Sequence, residues 1–305
     1  MNETSPAQHQ SGLPAALAAY LIWGFLPLYL LLVREVPAFE FVGWRIIWTL
    51  PLCLLIVLVR GQMGQLRAAF ADRKALGILT CSAMLIAVNW LVYIWAIMEG
   101  EVYAASLGYY INPLVNVLLG TALLGERLSR AQWVAVAFAA VGVALLLGGA
   151  LTTLWISLTL AFSFGTYGLL RKRVSVGSLP GLTIESAVLL LPATGVVLWY
   201  SGTPQGSSFG GDLSLSLLIM FGGVATAVPL LFYAVAARRM DYSTLGFIQF
   251  LAPTIVFLLG LFVFGEQLDP LRLACFILIW SAAAIFAWDL ISRSNSSRQA
   301  LARKG

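Results

Sequence analysis

The chain has 305 residues, of which 60% are hydrophobic and only 10% are charged. Soluble domains carry about 25% charged residues, so this composition excludes a soluble globular fold. A net charge of +5 would suggest nucleic acid as the partner of a soluble protein. Here the basic residues stand in short runs between apolar segments, which indicates a membrane protein that binds no nucleic acid.

Ten segments are long and apolar enough to cross the bilayer as helices, which takes about 20 residues each. The polar tails 1–12 and 291–305 are predicted to be disordered and cytoplasmic. In chain order the predicted spans are 13–33, 39–59, 76–98, 103–124, 131–148, 152–170, 181–200, 214–237, 243–264 and 270–290.

The basic residues predict the orientation of these spans. With the N-terminus inside, 15 of the 18 Lys and Arg residues fall in inner loops or in the C-terminal tail. Only Arg34 and Arg272 fall outside, and Arg45 lies within a helix. Because cytoplasmic loops are enriched in Lys and Arg, both termini are predicted to be cytoplasmic.

The chain also contains an internal duplication of about 140 residues, a period that repeat analysis is designed to find. It divides the chain into five-helix halves at 13–148 and 152–290. Five is an odd number, so the halves enter the membrane from opposite sides, as in carriers with a central substrate site. The matched residues are Pro113, Gly120, Gly125, Glu126 and Leu128 with Pro253, Gly260, Gly265, Glu266 and Leu268.

This doubled plan, with Pro-x6-Gly-x4-Gly-Glu closing the fourth and ninth helices, resembles the drug/metabolite transporter superfamily with paired EamA-type domains. The segments AAYLIWGFLPLY, VPAFEFVGWRIIW, NWLVYIWAI, ASLGYYINPLVNVLLG, LTIESAVLLLP and LGFIQFLAPT are similar to the RarD subfamily of bacterial inner-membrane permeases. The resemblance runs over residues 13–290. It implies a secondary exporter of small metabolites or drugs. The sequence departs from it at Trp44, where many relatives carry His, so no proton role carries over to that position.

Two charged residues lie within predicted spans, where a charge costs about 3 kcal/mol and is functional by default. Arg45 either presents a cation to the substrate or extends outward to Glu35 or Glu40. Glu185 is either a titratable coupling carboxylate or a partner of Arg171, Lys172 or Arg173. The repeat places Arg45 and Glu185 at opposite depths, roughly 15 Å apart in a ~30 Å core, so no salt bridge is expected between them.

Polar and aromatic side chains inside the spans are the remaining candidates for a substrate cavity. They lie on shared helix faces, and a stripe of amides facing lipid would be penalised. Aromatic walls with a few amides suit aromatic or amphiphilic cargo, and the alternative role is hydrogen bonding between helices. The candidates are Tyr20, Trp23, Asn89, Trp90, Tyr93, Tyr109, Asn112, Asn116, Tyr167 and Gln249.

Pro113 and Pro253 are candidate hinges, and Gly24 and Gly165 are candidate sites of close helix packing. The single His, His9, lies in the N-terminal tail, which argues against an intramembrane enzyme and a His-ligated metal. No ATP-binding motif occurs, so no cofactor is expected. The expected partners are a small-molecule substrate and the lipid bilayer. The sequence leaves open whether protons are the coupling ion, and it is compatible with a monomer. A flippase for a lipid-linked or phosphate-bearing amphiphile is the alternative function.

Overall fold

The structure is a computed structural model that describes residues 12–147, 152–265, 267–268 and 270–302, and over these ranges its regular structure is helical. The helices are α1 (Leu13–Leu30, continued by a 3-10 turn at Leu31–Val33), α2 (Ala38–Val59), α3 (Met63–Ala71), α4 (Arg73–Met98), α5 (Val102–Leu124), α6 (Arg130–Leu147), α7 (Leu154–Arg173), α8 (Ser178–Ser201), α9 (Leu213–Arg239), α10 (Tyr242–Gln249), α11 (Leu251–Phe262) and α12 (Pro270–Ala302).

Nine segments within the described residues are long and apolar enough to cross a membrane, with α10 and α11 counted together as Tyr242–Phe262. The prediction of an all-helical membrane protein is therefore confirmed. The tenth predicted span, 152–170, forms the 20-residue helix α7, which is not among the nine. Its Ser, Thr and Gly residues and its last three residues, Arg171, Lys172 and Arg173, lower its hydropathy.

The polar segments contain helices that the sequence analysis did not predict. The basic connection after the second span contains a helix, α3, which packs on α8 and buries Leu66 and Ala69. The tail predicted to be disordered from residue 291 instead continues α12 as far as Ala302. An ion pair of 3.0 Å between Asp289 and Arg293, one helical turn apart, supports this extension. The N-terminal tail, residues 1–11, and residues 303–305 lie outside the described residues.

The ninth predicted span is interrupted at Phe250, between α10 and α11. Pro253 is the third residue of α11. Because proline has no N–H and its ring crowds the carbonyl four residues earlier, it disfavours a continuous helix through Gln249. Pro113, its counterpart in the repeat, lies inside α5 without ending that helix. The two candidate hinges therefore have different local structures.

Helices from the two sequence halves pack against each other. Helix α1 packs on α9 and α11, and α7 packs on α4 and α5. Helix α2 lies between α8 and α9, and α6 packs on α12. The interior is therefore lined by both halves, and any site at its centre is shared between them.

Two glycines allow close crossings of this kind. A methyl group at Gly24 would lie 2.7 Å from Ile255 of α11, and one at Gly165 would lie 2.8 Å from Val115 of α5. Both distances are shorter than carbon–carbon contact allows. In the repeat predicted from the sequence, Gly24 corresponds to Gly165 and Ile255 to Val115. The two contacts therefore join corresponding positions.

The Gly-Glu turn of the first half also contacts the second half. Gly125 adopts a left-handed conformation with φ 69°, which ends α5. The Glu126 carboxylate then accepts hydrogen bonds from the backbone N–H of Tyr242 (2.5 Å) and from the N–H (2.8 Å) and hydroxyl (2.7 Å) of Ser243. Glu126 thus caps the N-terminus of α10. The equivalent residue of the second half, Glu266, lies outside the described residues.

Candidate functional site

Arg45 lies on α2 and is half-buried. Its guanidinium carbon is 4.4 Å from the centre of the Trp90 ring on α4, a cation–π distance. Its Nε is buried and has no hydrogen-bond partner among the described residues. A buried donor without a partner costs about 1–3 kcal/mol. The Trp90 ring offsets part of the cost of holding a cation here, but the Nε donor stays unsatisfied.

The structure does not show the outward ion pair considered for Arg45. Glu40 is fully buried and accepts hydrogen bonds from Trp44 (3.2 Å), from the Ser207 hydroxyl (2.6 Å) and from the N–H and hydroxyl of Ser208 (both 2.8 Å). These bonds hold the segment after α8 over α2. There the Phe209 ring packs on Trp44, with 4.3 Å between the centroids.

Glu185, on α8, lies in a separate buried cluster. Its Oε1 is 3.5 Å from Nη1 of Arg171, and both side chains are almost completely buried. The Ser82 hydroxyl donates to Oε1, and the Tyr167 hydroxyl donates to Oε2 at 3.5 Å. The structure therefore shows an ion pair within the protein, one of the two alternatives for Glu185. No salt bridge links Arg45 to Glu185 among the described residues.

Arg171 corrects the interpretation of the basic loops. The sequence analysis counts it among the inner-loop residues, but it lies in the last turn of α7 and is fully buried. Its Nη2 donates to the carbonyl of Ser178 at 2.7 Å. Glu40 is likewise buried rather than peripheral. The described interior thus contains four charged side chains instead of two. Arg171 and Arg45 both have buried nitrogens without a hydrogen-bond partner, but Arg171 is paired with Glu185, whereas no ion pair to a described carboxylate accompanies Arg45.

Gly181 provides the space for Arg171, because a methyl group at this position would overlap the guanidinium. We expect Gly181→Ala to lower the free energy of unfolding by about 1–3 kcal/mol, the usual cost of overpacking. Denaturant unfolding of the purified protein measures this change. Gly195→Ala on the same helix is the control, since no atom lies within 4 Å of its added methyl group. Equal stability of the two variants would contradict the prediction.

Two small cavities lie between the halves and share Thr226 as a lining residue. The first has a volume of about 20 Å³ and the second of about 10 Å³, room for about one water molecule each. The first is lined by Ile46, Thr49, Ile86, Trp90, Tyr167, Leu182, Glu185, Ser186, Leu189, Thr226 and Leu230. The second is lined by Leu26, Tyr29, Leu30, Phe41, Arg45, Gly222, Ala225 and Thr226.

Arg45 and Glu185 line neighbouring cavities. Trp90 contacts Arg45 and also lines the larger cavity, into which Glu185 and Tyr167 face from the other side. The lining of the larger cavity comes from α2 and α4 of the first half and from α7, α8 and α9 of the second. The lining of the smaller cavity comes from α1, α2 and α9. A metabolite is larger than either cavity, so binding one requires these helices to separate.

The predicted amide face of α5 forms hydrogen bonds between helices. Asn116 donates to Oε1 of Gln249 on α10 at 2.9 Å, and Tyr20 of α1 donates to the same oxygen at 3.4 Å. Asn112 is buried, and its Oδ1 has no partner among the described residues. Neither asparagine lines the two cavities. In this conformation the network links three helices.

An aromatic cluster joins this network to Glu185. The Tyr167 ring is stacked on Tyr233 with 6.1 Å between centroids, and Trp23 lies 5.6 Å from Tyr20 and 5.8 Å from Tyr233. The structure therefore brings together three of the candidate residues from the sequence, Tyr20, Trp23 and Tyr167. Tyr233 was missed, because on α9 it stands among apolar residues with no polar neighbour of its own to signal it.

The candidate residues on α4 contact different helices. Asn89 donates to the Leu160 carbonyl (2.8 Å) and to Ser163 (3.0 Å) on α7, whereas Trp90 faces Arg45. Tyr93 meets Tyr109 of α5 in an edge contact at 5.7 Å. Thr49, Thr226 and Ser186 line the cavities but were missed, since a Ser or Thr within a span carries no distinctive sequence signal.

Comparison with known proteins gives a consistent picture. Residues 10–148 match the EamA-like transporter family. The chain is 41% identical to Protein RarD of Streptomyces exfoliatus, over 96% of this chain and 93% of the relative. It is also 41% identical to Protein RarD of Escherichia coli K12, over 93% and 96%. It is 30% identical to the Chloramphenicol-sensitive protein RarD of Pseudomonas aeruginosa, over 91% and 94%.

A protein of known crystal structure has the same fold. It superposes with a TM-score of 0.69 over 90% of this chain and 96% of its own length. The sequences are 20% identical, so this likeness concerns the fold alone.

Proposed function

The chain belongs to the RarD family of EamA-like transporters, and from this membership we propose that it exports small organic molecules across the bacterial inner membrane by alternating access. The observation that carries the proposal is Arg45, whose buried Nε has no hydrogen-bond partner among the described residues and which lines a small cavity between the two halves. A closed central site lined by both halves is what alternating access requires.

We further propose that α7 crosses the membrane as the tenth span, so that the halves form inverted five-helix repeats. The contact of Gly24 with Ile255 and that of Gly165 with Val115 support this arrangement, because equivalent residues make both. A helix of 20 residues is also about 30 Å long, enough to span the hydrocarbon core. The charge pattern of the loops then favours cytoplasmic termini.

The cap that Glu126 forms on α10 supports a closed state on one side of the site. It joins the end of α5 in the first half to the start of α10 in the second. In an alternating carrier, contacts between the halves close one side and must break when that side opens. We propose that this cap is part of the cytoplasmic closure.

The cargo that suits this site is aromatic or amphiphilic. Trp90 and Tyr167 line the larger cavity and Tyr29 and Phe41 the smaller one, with Thr49 and Thr226 among the few hydroxyl groups. Ligand sites of this kind combine apolar walls with a small number of polar groups that fix the orientation of the ligand.

Proteoliposomes loaded with a bacterial metabolite extract test the transport proposal. We expect a subset of compounds, measured by mass spectrometry, to leave liposomes that contain the protein faster than protein-free liposomes. A parallel experiment with an imposed pH gradient tests protons as the coupling ion. Identical release of every compound from both kinds of liposome, with the protein folded, would contradict the proposal.

A further inference from the structure

The charges around the central cavities define the class of substrate. Of the four charged side chains in the described interior, Arg171 and Glu185 neutralise each other at 3.5 Å. The Glu40 carboxylate accepts hydrogen bonds from Trp44, Ser207 and Ser208, and no ion pair joins it to Arg45 among the described residues. The groups in electrostatic contact with Arg45 are the phenols of three tyrosines, which are neutral at pH 7: Tyr109, Tyr29 and Tyr93.

The Arg45 guanidinium has a donor that the protein does not satisfy. Its carbon is 4.4 Å from the centre of the Trp90 ring, a cation–π distance. A guanidinium edge presents parallel donors that match the two oxygens of a carboxylate. Nε belongs to one such edge and has no partner among the described residues. A carboxylate that enters when the helices separate could therefore satisfy this donor in two-point geometry.

We infer that the transported molecule is an organic monoanion, with a carboxylate bound by Arg45 and a planar apolar body packed against the aromatic wall that includes Trp90. This inference rests on the proposed transport function. A zwitterion is disfavoured, because a free carboxylate would pair best with its ammonium and both carboxylates of the described interior are already engaged. A dianion is disfavoured too, since a single cation would leave one negative charge buried and unpaired.

Binding to the purified protein in nanodiscs tests the inference without any substitution. The probes are trans-cinnamate, its neutral amide, phenylalanine and phenyl phosphate, measured by calorimetry against protein-free nanodiscs. We expect cinnamate to bind about 10- to 100-fold more tightly than the amide, the factor that a charge-assisted hydrogen bond gives. Equal affinities for cinnamate and the amide would overturn the inference. So would tighter binding of phenylalanine or phenyl phosphate than of cinnamate.

Variants then assign the preference to Arg45. In Arg45→Gln the preference for cinnamate over the amide should fall to about twofold or less, and Arg45→Lys should retain part of it, because the charge stays but the two-point geometry is lost. Arg67→Gln on the exposed surface of α3 is the control and should bind as wild type does. A full preference retained in Arg45→Gln would overturn the assignment.

Two further outcomes separate this inference from its alternatives. If NBD-labelled phosphatidylglycerol is flipped in proteoliposomes in an Arg45-dependent manner and cinnamate does not compete, the anion is a lipid headgroup and the inference fails. If metabolites are transported but carboxylates are not preferred, only this inference fails. If cinnamate binds with the expected preference and nothing is transported, the proposed function fails instead.

Discussion

Arg171→Met is expected to lower the free energy of unfolding by about 3–5 kcal/mol, the cost of leaving the other member of a buried ion pair without its partner. Glu185 would keep its bonds from Ser82 and Tyr167, but no cation would remain beside its carboxylate. Unfolding of the purified protein by denaturant, followed by circular dichroism, measures the loss.

The double variant Arg171→Met/Glu185→Met separates the ion pair from simple packing. Replacing both charges of a buried pair by apolar side chains of similar volume is often neutral or stabilising. We therefore expect the double variant to recover most of the stability that Arg171→Met loses. Arg67→Met, at an exposed position, should change stability by about 0.5 kcal/mol or less. A double variant as unstable as the single one would show that the charges are not the cause.

Glu126→Gln is expected to accelerate hydrogen–deuterium exchange in α10, Tyr242–Gln249, by about 10- to 100-fold. The carboxylate accepts three hydrogen bonds at the start of this helix, and a glutamine can accept with only one oxygen while its amide group opposes the N–H donors. The loss of a charged cap at a helix N-terminus also removes a favourable interaction with the helix dipole. Exchange measured by mass spectrometry on peptides from residues 242–249 gives the result.

The control for this prediction is Glu99→Gln, at an exposed position beyond the end of α4. It removes the same charge without touching α10, so exchange in residues 242–249 should match that of wild type. If both variants exchange at the same rate, the cap does not hold α10 in place. Gly120 offers a further check, because a methyl group there would lie 2.5 Å from the Glu126 carboxylate and 2.7 Å from the Ser243 hydroxyl.

The spans could be predicted largely from the sequence, because twenty apolar residues in a row allow few other structures. The exceptions follow from local physics. Helix α3 is too short and polar to register as a span, and the break at Phe250 depends on how Pro253 is accommodated, since Pro113 does not break α5. Helix α7 is long enough to span the membrane but has a basic end, so its hydropathy does not identify it clearly as a span.

The candidate site was predicted in part. Arg45 and Glu185 stood out because a charge in an apolar segment is rare, but their surroundings depend on contacts between distant residues. Arg171 belongs by sequence to a basic cluster typical of a loop, and only the packing of α7 on its neighbours shows that it is buried. The sequence likewise did not reveal that Glu126 caps α10. Its motif was visible as a repeat, whereas its partner Ser243 lies 117 residues away.

The burial of Arg171 also bears on how the chain enters the membrane during synthesis. Helix α7 is less apolar than the nine candidate spans and carries a buried cation, so it is a weaker substrate for insertion by the translocon as an isolated segment. Its cation finds a counter-ion in Glu185, on the helix that follows immediately. If α7 spans the membrane as proposed, we expect α7 and α8 to be inserted together as one hairpin, because the charge pair is made within it.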